Sequence, residues 1–567
     1  MGVASSIGQR RNRVPTSKTS SSLPVLVVGA GPAGLICALA LRKSGIPVRI
    51  IEQSLEHHVG TRGAGIMPRS LELLQALGVL PELQRLRGLE APPMQFYRLP
   101  GGTEVSSTAP GLMEKMDPVP SKPFNSMWFI SQAVLEEVLR KELNTYGCKV
   151  ELGTSLLDFQ QDRDGVTANL SISETNSQES FRASFLVGAD GAKGVTRKLL
   201  KCSFLGETKD DNGILVGNVV IENLSTEVWH LWKPSPYLFS LRPYDREHKK
   251  FVITVTGLSD EVGQGADAEK FESLFRESIG RSDVTFGEFE WLSYFKPNMR
   301  VVDKMSEGRV FLAGDSAHVH SPHGGQGLNT GIQDSFNLSW KLALVHKGRS
   351  PISLLASYNE ERLPVVAEML KQVTGLYNKS DGDASAQTAA RGKHLFMLGI
   401  NYRWSSIVVD KCSATQTPVE ILKDRAYLGW DDELKAGDRA PECPNLRLGE
   451  RRTSLFHLLT PKKHTVLVFV GEDLNGGLTQ RILSVLRSKF TKDTTDVFLV
   501  GSGTVSSSAS FPSLLDENGL ARTAYQAAQA TNGRPLVVII RPDGIIGAMG
   551  DSDEVLKGYS TLVFKSG

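Results

Sequence analysis

The chain has no C-x-x-C pair and no cysteine spacing suited to a metal or a disulfide framework. Cys37, Cys148, Cys202, Cys412 and Cys443 lie far apart. This excludes a disulfide-stapled scaffold and fits unpaired thiols in a reducing compartment, so a cytoplasmic location is expected. Charge imbalance is missing too. Lys and Arg number 64 against 62 Asp and Glu, a net charge of +2, which gives no electrostatic footprint for nucleic acid. No acidic residue precedes Glu52, and no apolar core follows the early arginines, which argues against a secretory signal. Nor is there an unbroken apolar run. PVLVVGAGPAGLICALALRKSG is long enough to suggest a membrane span, but Gly29, Gly31, Pro32 and Gly34 interrupt it.

What remains is ordinary globular composition, 40% apolar and 22% charged over 567 residues, enough for about three domains, each with its own core. The first 22 residues stand apart as a polar, basic tail with no apolar periodicity, expected to be disordered. Met1-Gly2 followed by Ser6 also meets the minimal pattern for N-myristoylation at Gly2. Arg10, Arg11 and Arg13 could then supply a second, electrostatic signal. Beyond that, membrane contact is not expected.

Order begins at Leu23. Val25 to Val28 reads as a buried strand, followed by a glycine turn and a helix closing at Gly45. The glycines are G-x-G-x-x-G. Gly29 makes the turn, Gly31 admits a pyrophosphate to the backbone, and Gly34 lets helix and strand pack closely. A second strand, Val48 to Ile51, ends in Glu52, 18 residues past Gly34. An acidic side chain there accepts the hydroxyls of an adenosine ribose. The set of motif, strands and Glu52 points to a dinucleotide. Helices are expected at Pro68 to Leu77 and at Ser131 to Leu143, the latter carrying Gln132 and Arg140. A further strand, Ser184 to Val187, runs into Gly188-Ala189-Asp190-Gly191, with Arg197 beyond. Asp190 alone would pass as a helix cap.

The stretch Gly308 to Leu344, GRVFLAGDSAHVHSPHGGQGLNTGIQDSFNLSWKLAL, reads as a strand, a turn at Gly314-Asp315, a loop of His, Pro and Gly, and a helix from Gly327. Such a junction holds an anionic or dipolar ligand through backbone amides and the positive helix N-terminus. His318, His320 and His323 lack neighbouring cysteines or carboxylates in metal-ligand spacing, so no metal is expected. Between Phe204 and Arg300, the segments Val228 to Trp232, Leu238 to Leu241 and Phe251 to Val255 alternate like strands of an antiparallel sheet.

Taken together, G-x-G-x-x-G with Glu52, Asp190-Gly191 with Arg197, GDSAHVHSPHGGQGLNTGIQD and YNEERLP at Tyr358 to Pro364 resemble the single-component FAD-dependent aromatic hydroxylases of the para-hydroxybenzoate hydroxylase and phenol 2-monooxygenase type. One departure is Gly194, where the family usually has Ser, and it bears on how the Asp190-Gly191 element handles NADPH. The resemblance implies an α/β plus α+β protein: a Rossmann-like FAD-binding domain, split over 23–203 and 301–375, and an antiparallel-sheet substrate domain at 204–300. A helical connector at 376–435 and a C-terminal thioredoxin-like domain at 436–567 follow.

For the cofactor, it implies that Gly29, Gly31, Ala33 and Gly34 cradle the FAD pyrophosphate and Glu52 holds the ribose. Arg62 and Gln132 would contact the pyrophosphate or ribityl region, as Asp190 would its own stretch of the cofactor, and Asp315 would bind a ribityl hydroxyl. Pro322, Gly325, Gly327, Leu328 and Asn329 would pass along the flavin ring, the helix-start amides stabilising the reduced anion.

For the substrate, the sheet would lie over the flavin, and its Trp229, His230, Tyr237, Phe239, Arg242 and Tyr244 are candidates to grip an aromatic ring. Tyr237 and Phe239 are favoured for the pocket, with Tyr237, Arg242 and Pro322 as catalytic candidates. Side chains alternate along a strand, so without a bulge only Tyr237 and Phe239 share a face.

Strands and helices continue past an expected linker at Ala436 to Pro441: strands Thr465 to Val470, Asp496 to Val500 and Pro535 to Ile540, a helix at Leu478 to Leu486, then Arg541-Pro542-Asp543-Gly544. With no cysteine after Cys443, this part is read as structural, a candidate homodimer support. The implied reaction is NADPH- or NADH-driven monooxygenation of a small aromatic substrate with O2, through a C4a-hydroperoxyflavin. No second G-x-G-x-x-G is evident, so the nicotinamide nucleotide would dock transiently. The same scaffold hosts epoxidases, oxidative decarboxylases and ring-expanding oxygenases. A reductase or dehydrogenase, or a non-catalytic flavoprotein, is the reading of another class.

Overall fold

In a computed structural model, the described residues are 23–61, 65–86, 92–111, 113, 115–208, 212–320, 324–378, 392–412, 417–429, 433–470, 476–503, 511–528 and 534–565. The N-terminal tail with Gly2, Arg62, Pro322 and His323 lie outside them.

Val25–Val28 is the centre of a six-stranded sheet ordered Ser306–Glu307, Val310–Leu312, Phe185–Gly188, Val25–Val28, Val48–Ile51, Val150–Glu151. All neighbours pair in parallel except the edge strand Ser306–Glu307. Every residue of Val25–Val28 is buried, which is why its sequence is continuously apolar instead of alternating. Helix Pro32–Lys43 packs between Gln132–Thr145 and the long helix Gly327–His346. The sheet thus recruits strands from three stretches of sequence, and the segment 308–344 returns to lie beside the first glycine turn.

A second sheet has seven strands ordered Phe286–Phe295, Gly213–Ile221, Lys250–Leu258, Leu238–Asp245, Trp229–Trp232, Met94–Tyr97, Val105–Ala109. It is antiparallel except where Trp229–Trp232 meets Met94–Tyr97. The expected range of 204–300 was therefore too narrow, because the hairpin at 94–109 completes this sheet. Its strand Met94–Tyr97 is four residues long with only Met94 fully buried, so it gives a weak local signal. Helix Ala268–Ile279, capped by Asp267 (carboxylate to Lys270 N–H, 2.9 Å) and ended by left-handed Gly280, covers the outer face with Phe271 and Phe275. The inner face, with Met94, Trp229 and Leu231, packs against Met67 and Phe129 of the first unit and Val365, Met369 and Phe396 beyond it.

The C-terminal sheet has eight strands, ordered Val409–Asp410, Ile546–Gly550, Leu536–Ile540, His464–Phe469, Thr495–Gly501, Ser513–Asp516, Leu446–Leu448, Arg451–Thr453. Two expectations need correction here. The described residues of 376–435 are not mainly helical: after the end of helix Ala356–Asn378 they hold a 3-10 turn at Lys393–Phe396, a short helix Val419–Asp424, and the strand Val409–Asp410, which adds to this sheet. Nor is Ala436 to Pro441 a free linker. Ala436 and Ala440 are buried, and Arg439 donates to Glu72 at 2.9 and 2.6 Å. A cation that finds a buried carboxylate on another unit turns a spacer-like sequence into a packed seam.

Candidate functional site

A cavity of about 750 Å³ opens where the parallel sheet, the glycine turn and the start of Gly327–His346 meet. The three motif glycines meet three different demands. Gly29 has φ +100°, and a Cβ on it would lie 2.3 Å from the Ala189 carbonyl oxygen. A Cβ on Gly34 would lie 2.0 Å from the Gly29 carbonyl oxygen. Gly31 has nothing within 4 Å, so its backbone faces open space, as a pyrophosphate requires. Gly31 and Ala33 line the cavity, whereas Gly34 stands behind its wall. Glu52 also lines it. Its carboxylate accepts Ala30 N–H (2.9 Å) and Ser54 N–H (3.0 Å), bonds that orient it while leaving lone pairs for ribose hydroxyls.

Gln132 lines the cavity and donates to Glu136 at 2.8 Å. Glu136 and Arg140 follow at successive turns of the same helix face, and Arg140 has its pKa lowered by burial. The i, i+4, i+8 spacing puts the expected Gln132 and Arg140 on one face with Glu136 between them. His57, Lys193 and Thr154 are further lining residues that no sequence motif marked.

Asp190 serves as both cap and cavity wall. One carboxylate oxygen accepts the Thr196 N–H and hydroxyl, both at 2.8 Å, in the first turn of helix Val195–Leu199. The other is buried with no hydrogen-bond partner among the described residues, and burial raises the pKa despite Thr196. Gly194 is explained by the same carboxylate: a Cβ there would lie 2.3 Å from Asp190 Cγ. Arg197 faces away from the cavity. It donates to the Ser316 carbonyl (2.9 Å) and the Ala192 carbonyl (2.6 Å) and stacks on Phe204, tying one loop to the other.

Asp315 is exposed and lines the cavity. Its loop is set from below: Gly314 N–H donates to Asp334 (3.0 Å), which also meets His318 Nε2 (2.7 Å) and Arg362 Nε (2.7 Å). Burial opposes ionisation of Asp334, but Arg362 and His318 overcome it and hold its pKa at about 2. Gly325, Gly327 and Leu328 form the facing wall. Asn329 lies behind it, its side chain bonded to Met67 N–H and the Gly65 and Gly325 carbonyls at 2.8–2.9 Å.

The substrate-sheet candidates divide by face. Phe239 is fully buried against Phe275 under the outer helix, and Tyr237 packs in the same cluster. Both therefore point away from the flavin side, which corrects the pocket assignment. Tyr237 and Phe239 do share a face, but the covering helix Ala268–Ile279 takes that face for its own core. Arg242 has the opposite parity and lies over the Phe129 ring (4.0 Å) and near Trp229 (5.5 Å). It makes no hydrogen bond or ion pair among the described residues, and burial alone pushes its pKa down to about 9. Trp229 Nε1 donates to Ser240 Oγ (2.7 Å) on the same face.

An open glycine cradle, an oriented ribose acceptor, an orphaned Asp190 oxygen and two helix N-termini suit a flavin dinucleotide. The family profile described as FAD binding domain matches residues 22–373. A flavin-dependent monooxygenase of Mycobacteroides abscessus is 34% identical over 548 residues, covering 95% of this chain and all of that one. Pentachlorophenol 4-monooxygenase of Sphingobium chlorophenolicum is 26% identical, covering 83% of this chain and 84% of the relative. Among solved structures, aklavinone-11 hydroxylase with FAD and aklavinone superposes with TM-score 0.76 at 24% identity, covering 96% of this chain and 100% of that one. The flavin-dependent monooxygenase PieE with FAD and substrate gives 0.78 at 20%, covering 95% and 98%.

Proposed function

We propose, for a chain that belongs to the FAD binding domain family and is a flavin-dependent monooxygenase, hydroxylation of a phenolic or other electron-rich aromatic ring, driven by NADPH or NADH and O2. Bound FAD supplies hydride acceptance and O2 activation. The chain's residues hold it, bind the ring beside it and exclude water. Gly29, Gly31, Glu52, Asp190 and Asp315 would hold the dinucleotide, with Gly325, Gly327 and Leu328 along the ring. No second G-x-G-x-x-G exists in the chain, so the nicotinamide nucleotide is read as a transient visitor.

The observation that carries the substrate reading is Arg242. A buried guanidinium on two aromatic faces, with no anionic partner among the described residues, favours a ligand that brings the anion. A phenolate or carboxylate oxygen would meet it, and the cation would favour the ionised phenol, which makes the ring more electron-rich. The sulfur- and aromatic-rich inner face, including Met67, Met127 and Trp229, suits a flat apolar body. Relatives named for pentachlorophenol and 6-methylpretetramide support an aromatic substrate.

We read residues 23–203 and 301–375, less the hairpin at 94–109, as a Rossmann-like FAD-binding domain. The C-terminal part is read as a thioredoxin-like module: His464–Phe469, a helix and parallel Thr495–Gly501, then the antiparallel hairpin Leu536–Ile540 and Ile546–Gly550 and a closing helix. Its one cysteine, Cys443, is buried and has no C-x-x-C partner, so its role is structural.

The test is substrate-stimulated NADPH oxidation with a panel of phenols, hydroxybenzoates and aromatic polyketides. Arg242→Met is expected to raise KM for anionic substrates about 100-fold, the size for losing a buried charge partner. Neutral analogues should change less than about threefold on the same scale. Equal effects on both would remove Arg242 as the anion reader.

A further inference from the structure

The segment between the long helices and the C-terminal sheet sends one side chain into the loop that forms the flavin wall. Gln326 is fully buried and immediately precedes helix Gly327–His346. Its amide is committed at both ends. Nε2 donates to the Gly324 carbonyl (2.6 Å) and the Leu395 carbonyl (3.2 Å), and Oε1 accepts the Tyr427 hydroxyl. Tyr427 is itself fixed, fully buried with its N–H on Glu368 Oε2 at 2.8 Å. Burial raises the pKa of its hydroxyl, so the hydroxyl stays a donor and Gln326 has only one way round. On the other side of the same peptides, Gly325, Gln326 and Gly327 line the cavity.

We propose that Tyr427 is a positioning residue for FAD: its hydroxyl locks the Gln326 amide and thereby fixes the Gly324–Gly327 backbone against the flavin. Amides aimed in advance at a site where negative charge develops favour the charged state over the neutral one. The reduced flavin is that state, so the lock should matter more for reduced than for oxidised FAD. Nothing local to residue 427 announces this, since 101 residues separate the bonded pair. The inference rests on FAD binding and is independent of which substrate is oxygenated.

Tyr427→Phe removes one oxygen atom. In the FAD-loaded protein, the reduced-over-oxidised affinity ratio should fall about tenfold, a midpoint potential about 30 mV lower for a two-electron couple. Oxidised-FAD affinity, read by flavin fluorescence, should change less than about threefold. Gln326→Leu cuts the same bond from the other end and should shift the potential in the same direction, with the double variant adding little more. A wild-type potential in whichever single variant folds would overturn the proposal. So would equal weakening of both redox forms, which would mean a merely structural contact.

Discussion

At the scale of single residues, the site is a set of atoms placed by what is missing as much as by what is there. Gly31 leaves open space, and Gly194 leaves room for the Asp190 carboxylate. Gly194 has ordinary helical-cap backbone angles (φ −52°, ψ 150°), so a side chain there is excluded by contact alone. Gly194→Ser should push Asp190 off Thr196 and cost about 1 kcal/mol, the usual value of a lost cap. That corresponds to a fall in Tm of a few degrees or less in a chain of this size. Thermal melts of the holo-protein check it, and an unchanged Tm would mean that Asp190 has another resting place. The glycine motif and Glu52 were legible because backbone geometry demands those residue types at fixed spacing. Gly194 stands out in the sequence as a departure from the family's Ser, but its reason lies in the Asp190 carboxylate, which meets it only in three dimensions.

At the scale of elements, what was legible depended on whether a partner lay nearby in sequence. Strand Val25–Val28 matched its expected bounds, and helix Gly327–His346 began where expected, because apolar runs and glycine stops are local signals. Which face of Leu238–Asp245 looks at the flavin was not local. Helix Ala268–Ile279 decides it by claiming Phe239. The helix pair Gly327–His346 and Ala356–Asn378 shows the same dependence, since Asp334 on one meets Arg362 on the other beneath the Asp315 loop. Asp334 has its folded pKa lowered from 3.8 to about 2. A depressed acid contributes stability that is fully present above its ordinary pKa and lost as pH falls through the folded one. Between about pH 4 and pH 2 this one carboxylate should therefore give up about 2 kcal/mol. Glu361, lowered by Arg541 and Lys341 against its own burial, acts in the same direction as pH falls below its ordinary carboxylate value. Tm measured against pH should fall over that window. A flat profile there would contradict the role given to the Asp334 cluster.

At the scale of the whole molecule, the C-terminal sheet is joined to the flavin-binding part by buried charge. Arg541 grips Glu361 at 2.7 and 2.9 Å, and Lys341 joins at 2.8 Å. Arg69 donates to the Asp543 carbonyl (2.6 Å) and to Glu72, which Arg439 also holds. YNEERLP and Arg541-Pro542-Asp543-Gly544 were both visible as motifs, but their meeting across 180 residues was not. Ion pairs at such separation leave no periodicity to read. Among the described residues, no helix is long and apolar enough to cross a membrane.

The most direct measurement of the central claim is isotope incorporation. Purified protein reconstituted with FAD is given NADPH, 18O2 and members of the aromatic panel, and products are weighed by mass spectrometry. One 18O atom is expected in the ring-hydroxylated product, with NADPH consumption stimulated by the same compound. NADPH oxidation that yields only hydrogen peroxide across the panel, or a protein that stays colourless after reconstitution, would contradict it.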